Sequence, residues 1–313
     1  DQHRLQPWAY QSAIYATVFA SMDSRRARKW LIPMAASVYL YSAAGKFDYQ
    51  FSHTVGQDFL TSIAKPLGGI PEDLSESTRL KLAFIFPAVE FLAGLCLLFP
   101  STRRFGGTMI IAMHVSLIAI LSPLGLNHST GVLVWNALLM IQAYYLMIRP
   151  ATSTVVTHVP ISDRGPGSLL SRVVVLIALV APVTERWGYW DHWTSWSLYS
   201  PHTSRVEIDI HGSAITALEA EMQPFFDDDE DGDGWRSLAI ERWSLHDRKV
   251  PIYPQARYQL ALAAEFAKRH QMRSEIRARL RGTSDRWSGR RTERRMLGLR
   301  EIEKGLDSYW LTP

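Results

Sequence analysis

The chain has 313 residues, 34 Lys and Arg against 30 Asp and Glu, a formal net charge of +4 and a mean hydropathy of -0.06. Its single cysteine, Cys96, excludes an internal disulfide framework and any dithiol cycle within the chain. The averages, 47% hydrophobic and 20% charged, describe a water-soluble protein only because they mix two unlike halves.

Up to about residue 187, long apolar runs alternate with short basic or polar breaks. A helix needs about 20 mostly apolar residues to cross the hydrocarbon core. Pro7–Met22 approaches that length but carries Gln11 and Ser12, so its crossing is left open. Trp30–Phe47, Leu82–Phe99, Phe105–Leu124 and Gly131–Ile148 are expected spans, and Leu169–Thr184, with the aliphatic core VVVLIALVAPV, is a shorter fifth. The chain starts at Asp1, and no signal peptide is assigned.

Basic residues fall on alternate connections: Arg25, Arg26, Arg28 and Lys29 before Trp30; Arg103 and Arg104 after Phe99; Arg149, Arg164 and Arg172 before the aliphatic core of the fifth span. Loops rich in Lys and Arg stay on the cytoplasmic side, so the loops 48–78 and 122–130 are expected outside. The localisation implied is a multi-pass cytoplasmic membrane protein with an extracytoplasmic C-terminal domain. Within 48–78, Phe51, Val55, Phe59 and Ile63 recur at helical spacing. This is read as an amphipathic helix on the membrane face ending at Pro66-Leu67-Gly68-Gly69, or equally as a packed loop capping the bundle.

Glu90 lies in the middle of LAFIFPAVEFLAGLCLLF, where a carboxylate is expensive and is a functional-site candidate by default. Counted from Thr102 in the following turn, Glu90 is twelve residues back and His114 twelve forward, which puts both at one depth in an antiparallel pair. A Glu90–His114 contact is therefore expected, direct or through water, as a proton relay or quinone-headgroup site with Glu90 and His114 as its catalytic candidates. A neutral Glu–His hydrogen bond that only fixes helix register stands level with it. Lys46 reads first as an anchor snorkelling to headgroups, ahead of a salt bridge with Glu90; with Tyr39 and Ser42, on its face at i, i+3 and i+7, it also reads as lining a cavity. Asn136 reads as an interhelical hydrogen-bonder. Tyr39, Lys46 and Asn136 are the candidate cofactor-binding residues.

Beyond the fifth span, Glu185–His202 (ERWGYWDHWTSWSLYSPH) is expected to be an interfacial aromatic belt. A ligand platform using Asp191 and His192 is the lesser reading. Arg205–His211 (RVEIDIH) alternates like a half-buried strand. The run DDDEDGDG resembles the start of a calcium loop with Asp227, Asp229 and Asp231 as metal candidates, but its twelfth position is Leu238 rather than Glu. An acidic solvated turn is the first reading. Pro254–His270 and Thr292–Leu306 have helical composition, and the Arg-rich tail is suited to anionic headgroups or an acidic partner. Nucleic acid is not expected.

The expected fold is mainly α: a polytopic membrane helix bundle of four core helices plus one or two extra spans, with a small C-terminal α+β soluble domain. Its divisions are 1–29, 30–149, 150–186 and 187–313. YLYSAAGKFD (Tyr39–Asp48), an amphipathic connection and FPAVEFLAGLCLLFPSTRR (Phe86–Arg104), with Pro87, Glu90 and Gly94 in a P-x-x-E-x-x-x-G arrangement, resemble the DoxX/MauE group of small four-helix membrane proteins over about residues 30–148. The resemblance implies an accessory or quinone-associated redox subunit with a protein partner in a membrane redox or maturation complex. With one cysteine, any thiol exchange needs that partner. No self-sufficient enzyme motif is present, and if catalytic the chain is expected to be an oxidoreductase component. Two other readings are a scaffold anchoring the soluble domain, and a membrane enzyme resembling the membrane domain of vitamin K-dependent carboxylases in architecture alone.

Overall fold

The computed structural model describes residues 6–149, 166–229 and 232–309. It is mainly helical with one small antiparallel sheet, and it divides into a helical unit, residues 6–201, and a sheet-containing unit from residue 202 onward.

In the helical unit, α1 (Pro7–Ser21) has Pro7 in its first turn, where a missing N–H is harmless. Helix α2 (Ser24–Lys46) starts on Asp23, whose carboxylate accepts from the Arg25 and Arg26 N–H groups. Two short helices follow, α3 (Tyr49–His53) and α4 (Val55–Ala64), separated at Thr54 and closed by left-handed Gly68 and Gly69. The expected single amphipathic helix is therefore broken. Its Phe51 and Phe59 are buried, Phe59 against Ile120 and Leu121, while Ile63 is exposed, so this connection caps the bundle.

Helices α5 (Glu76–Ala83) and α6 (Ile85–Leu98) form one continuous rod interrupted at Phe84. The cause is Pro87, which has no N–H for the Ala83 carbonyl and crowds it. The hairpin to α7 (Arg103–Leu121) is closed by Thr102 Oγ1 and Arg103 Nε, which donate to the Cys96 and Leu97 carbonyls at the end of α6. Helix α8 (Thr130–Ala143) widens into a π-turn over Tyr144–Ile148, and Arg28 donates through Nε and a terminal nitrogen to the Leu146 carbonyl there. Helix α9 (Pro166–Val180) ends in a 3-10 segment, Ala181–Trp187.

Among the described residues, four helices are long and apolar enough to cross a membrane: Glu76–Leu98, Arg103–Leu121, Thr130–Ile148 and Pro166–Trp187. Between 22% and 33% of their apolar windows is buried, and Val89, Leu92, Val115, Leu138, Ile141, Leu170 and Ile177 face outward. One segment expected as a span, Trp30–Phe47, falls outside this set, and so does Pro7–Met22, whose crossing the sequence leaves open. Helix α1 has only 15 residues, about 22 Å. Helix α2 covers the expected span as far as Lys46, with Phe47 as its C-cap, but opens with SRRARK and is polar along one face. It packs against α1, α6, α9 and the π-turn, with most residues from Leu31 to Lys46 buried, so neighbouring helices relieve it of the need for an apolar surface.

Contacts fix the helix directions. Arg28 at the start of α2 meets Leu146 at the end of α8; Gly107 at the start of α7 lies against Met147; Ser21 at the end of α1 bonds Ser171 at the start of α9. The basic groups Arg25, Arg26, Arg28, Lys29, Arg103, Arg104 and Arg149 consequently gather at one end of the bundle. At the other end, Arg186 pairs with fully buried Asp48, and the segment 188–201 folds back over the helices. There Trp196, expected in an outward belt, is fully buried beside Ile14 and Val18, while Trp187 and Tyr189 remain exposed.

In the second unit, β1 (Arg205–His211) is the expected strand. It is followed by α10 (Gly212–Ile215), β2 (Trp235–Leu238), α11 (Ile240–Asp247), α12 (Ala256–Arg269), β3 (Ile276–Arg281), β4 (Glu293–Leu297) and α13 (Gly298–Leu306). The sheet order is β2-β1-β3-β4, antiparallel throughout. Val206, Ile208, Ile210, Ile276 and Met296 form its inner face against Leu260, Ala264 and Ile302 of α12 and α13. Thr292–Leu306, expected to be one helix, is half strand. Its first part alternates a buried Met296 with exposed neighbours, and Gly298, at φ 76°, turns the chain into α13.

Candidate functional site

Helix α2 carries the polar groups of the bundle interior on one face. Tyr39 and Lys46 are seven residues apart, about 10 Å along the axis. Opposite them lies α6, running antiparallel, whose Gly94 lets the helices approach: a Cβ there would sit 3.0 Å from Leu40 Cγ and 3.2 Å from Tyr39 Cβ.

One turn before Gly94 is Glu90, 8% exposed, and its Oε2 accepts from Lys46 Nζ at 2.6 Å. Lys46, 7% exposed, also donates to Ser42 Oγ at 2.7 Å. The expected snorkelling anchor is thus an internal cation. Its stem folds back along the outgoing turn of α2 because a carboxylate and a hydroxyl are offered there and headgroups are not.

His114 on α7 is 3% exposed and does not contact Glu90 directly. Its Nε2 lies 3.0 Å from Tyr39 Oη, and its Nδ1 lies 2.8 Å from Asn136 Oδ1 on α8. Asn136 Nδ2 donates to the Val132 carbonyl, which leaves Oδ1 to accept. The network then assigns the proton of a neutral imidazole to Nδ1, with Nε2 accepting from the Tyr39 hydroxyl. The expected direct Glu90–His114 contact is absent: each side chain turns toward a different partner on α2, Glu90 to Lys46 and His114 to Tyr39.

The bundle therefore holds two adjoining polar sets on one helix: an ion pair, Lys46–Glu90, with Ser42, and a neutral chain, Tyr39–His114–Asn136. Together they contain all five bundle residues singled out from sequence. A third polar contact was missed as a contact. Gln11 Nε2 donates to Gln142 Oε1 at 2.8 Å and Gln11 Oε1 accepts from Trp135 Nε1 at 3.3 Å, tying α1 to α8. The isolated Gln11 in an apolar run was its only signal. Asp48 and Arg186 were missed too; each is ordinary in a loop, and only the fold brings them to 3.2 Å. At the same end Tyr199 packs on Phe59 and His128, and burial pushes its phenol up to about 12.

In the acidic run, the described carboxylates Asp227 and Asp229 are engaged by protein groups. Asp227 Oδ1 takes Arg242 at 2.5 Å, and Asp229 Oδ2 accepts the Gly234 N–H at 3.0 Å. Leu238, at the twelfth position, is a buried residue of β2, and Asp231 lies outside the described residues. The Arg-rich segment is also altered in meaning. Asp209, 1% exposed, is held by Arg279 through both oxygens and by Arg277, while Arg281 pairs with Glu207, so three arginines expected to await a partner neutralise the outer face of the sheet.

Comparison with protein-family models, curated proteins and solved structures finds no match to this chain.

Proposed function

We propose that the chain is a polytopic integral membrane protein and an accessory, quinone-associated subunit of a membrane redox or maturation system, as its resemblance to the DoxX/MauE group implies. The observation that carries the membrane reading is an inverted bundle. Large apolar side chains cover the outside of four membrane-length helices, while Lys46, Glu90, Tyr39, His114 and Asn136 lie within. Water favours the opposite arrangement, and lipid favours this one. On this reading the end gathering Arg25, Arg26, Arg28, Lys29, Arg103, Arg104 and Arg149 is cytoplasmic.

The donor set suits a quinone headgroup, whose carbonyl oxygens need hydrogen bonds and whose reduction needs protons. Lys46 has three N–H groups, of which Glu90 and Ser42 take two. Two turns away the Tyr39 hydroxyl donates to His114 Nε2, a pair along which a proton can shift, and Asn136 orients the imidazole through Nδ1. The quinone supplies the electron chemistry; these residues orient it, exclude water and hold the proton.

The test is extraction in mild detergent and mass spectrometry of co-purifying small molecules, comparing wild type with Glu90→Gln. Quinone retained by wild type and lost from the variant supports the reading; folded wild type without quinone counts against it. A second reading, a scaffold whose polar groups only fix helix register, is favoured by one fact: Glu90 and His114 are already satisfied by protein partners. It predicts that substitution at Glu90 changes folding alone.

A further inference from the structure

The β3–β4 connection, residues 282–292, holds a tryptophan out in solvent. Trp287 is 75% exposed, whereas Trp196 in the helical unit is fully buried and Trp243 packs against the core of its own unit. The tip is built to keep it there. Asp285 Oδ1 accepts from the Trp287 N–H at 3.2 Å, the Ser288 N–H at 2.8 Å and the Ser288 hydroxyl at 2.7 Å. Asp285 N–H donates to the Arg290 carbonyl and Gly289 N–H to that of Asp285, with Gly289 at φ 67°, where a side chain is disfavoured. At the base, Arg291 donates to the carbonyls of Thr203 and Gly282. The Ser288 hydroxyl and the neighbouring N–H groups hold the Asp285 carboxyl below its usual range, so the clasp stays ionised at neutral pH.

The surroundings are cationic. Arg286 adjoins Trp287, Arg290 is exposed on the same tip, and Arg294 and Arg295 are exposed on the edge strand that leaves it. Glu293 is the one acidic residue of that strand and pairs with Arg295. An outward tryptophan on a hydrogen-bonded turn, set among arginines, matches the membrane–water interface: the indole sits among headgroups with its N–H solvated, and the guanidinium groups meet phosphates.

We propose that the Trp287 hairpin is a second membrane contact, docking the sheet unit onto an anionic lipid surface through Trp287, Arg290 and Arg294. This goes beyond the site in the bundle but rests on the bundle being membrane-embedded. The full chain is labelled with 5-fluorotryptophan and placed in nanodiscs of phosphatidylcholine alone or with phosphatidylglycerol. The Trp287 resonance is the one absent from Trp287→Phe, and the remaining tryptophan signals report that the variant is folded. In the anionic discs it is expected to be lost to headgroup-labelled paramagnetic lipid and preserved against a water-soluble gadolinium chelate, and Arg290→Gln with Arg294→Gln reverses both. Loss to the chelate in the anionic discs, with no effect of paramagnetic lipid, overturns the proposal while leaving the bundle reading intact. Failure of the protein to enter nanodiscs at all overturns the membrane reading itself.

Discussion

Replacing Lys46 by Met should destabilise the helical unit severely, and replacing Glu90 by Gln in the same chain should recover much of the loss. The ammonium and carboxylate are 2.6 Å apart with side chains only 8% and 10% exposed. At an effective dielectric of about 20, their attraction is about 6 kcal/mol. Desolvation costs several kcal/mol per ion, so the pair as a whole contributes little net stability. Removing one partner is different, because it strands the other charge, at a cost of about 3–5 kcal/mol. That is roughly two to four powers of ten in the folded-to-unfolded ratio. The assay is equilibrium unfolding of the full chain in mixed micelles, followed by tryptophan emission, for wild type, Lys46→Met, Glu90→Gln and the double variant. A coupling energy near zero, or a Lys46→Met variant as stable as wild type, would refute the buried pair.

The other expectations are more local. Tyr39→Phe removes the hydroxyl on His114 Nε2 without changing the ring, and should cost about 0.5–1.5 kcal/mol in the same unfolding assay, less than the single ion-pair variants. Gly106→Val should cost about 1–3 kcal/mol, since even a Cβ would lie 2.8 Å from Cys96 Cβ and 3.0 Å from the Ala93 carbonyl oxygen; thermal melting followed by size exclusion checks it. Asp209→Asn weakens three charge-assisted bonds to Arg277 and Arg279, and protection of the β1–β3 amides in hydrogen exchange should fall. The sheet unit should also lose stability in acid. Hydrogen bonds from Arg273 and its neighbours to Glu275, from Ser288 to Asp285 and from Arg295 to Glu293 hold these carboxyls below their ordinary values. Their contribution is therefore present above the unfolded values of 4.5, 3.8 and 4.5 and disappears as pH falls through the folded ones. Sheet circular dichroism that is unchanged on acidification through that range would contradict it.

Sequence revealed the apolar helices better than the directions of their side chains. Hydropathy picked out Leu82–Phe99, Phe105–Leu124, Gly131–Ile148 and Leu169–Thr184, each matched by an apolar helix, but also Trp30–Phe47, whose helix α2 is not one of them. Counting from Thr102 led to an expected Glu90–His114 contact. It did not reveal which way each side chain turns, since that depends on crossing angles and on how closely Gly94 lets α6 approach Tyr39. Lys46 was misread for a related reason. At the end of a helix it has the position of a snorkelling anchor, and that position outweighed the salt bridge with Glu90 that the fold forms. Strand β1 was legible from its alternation, but β4 was not: Arg and Glu occur in helices as readily as on the solvent side of an edge strand, and a single inward Met296 is too little pattern. The arginines of β3 looked like an unpaired tail because their partners, Glu207 and Asp209, lie about 70 residues earlier.

The account stands on the bundle crossing a membrane with its basic end inside, and single-cysteine labelling in intact cells tests this most directly. On a Cys96→Ser background, cysteines placed at Arg26, Arg104, Ser75 or His128 are challenged with a membrane-impermeant maleimide. The account predicts reaction at positions 75 and 128 in intact cells and at 26 and 104 only after permeabilisation. Equal reactivity at all four positions in intact cells, or protein released from the membrane fraction by an alkaline wash, would contradict it.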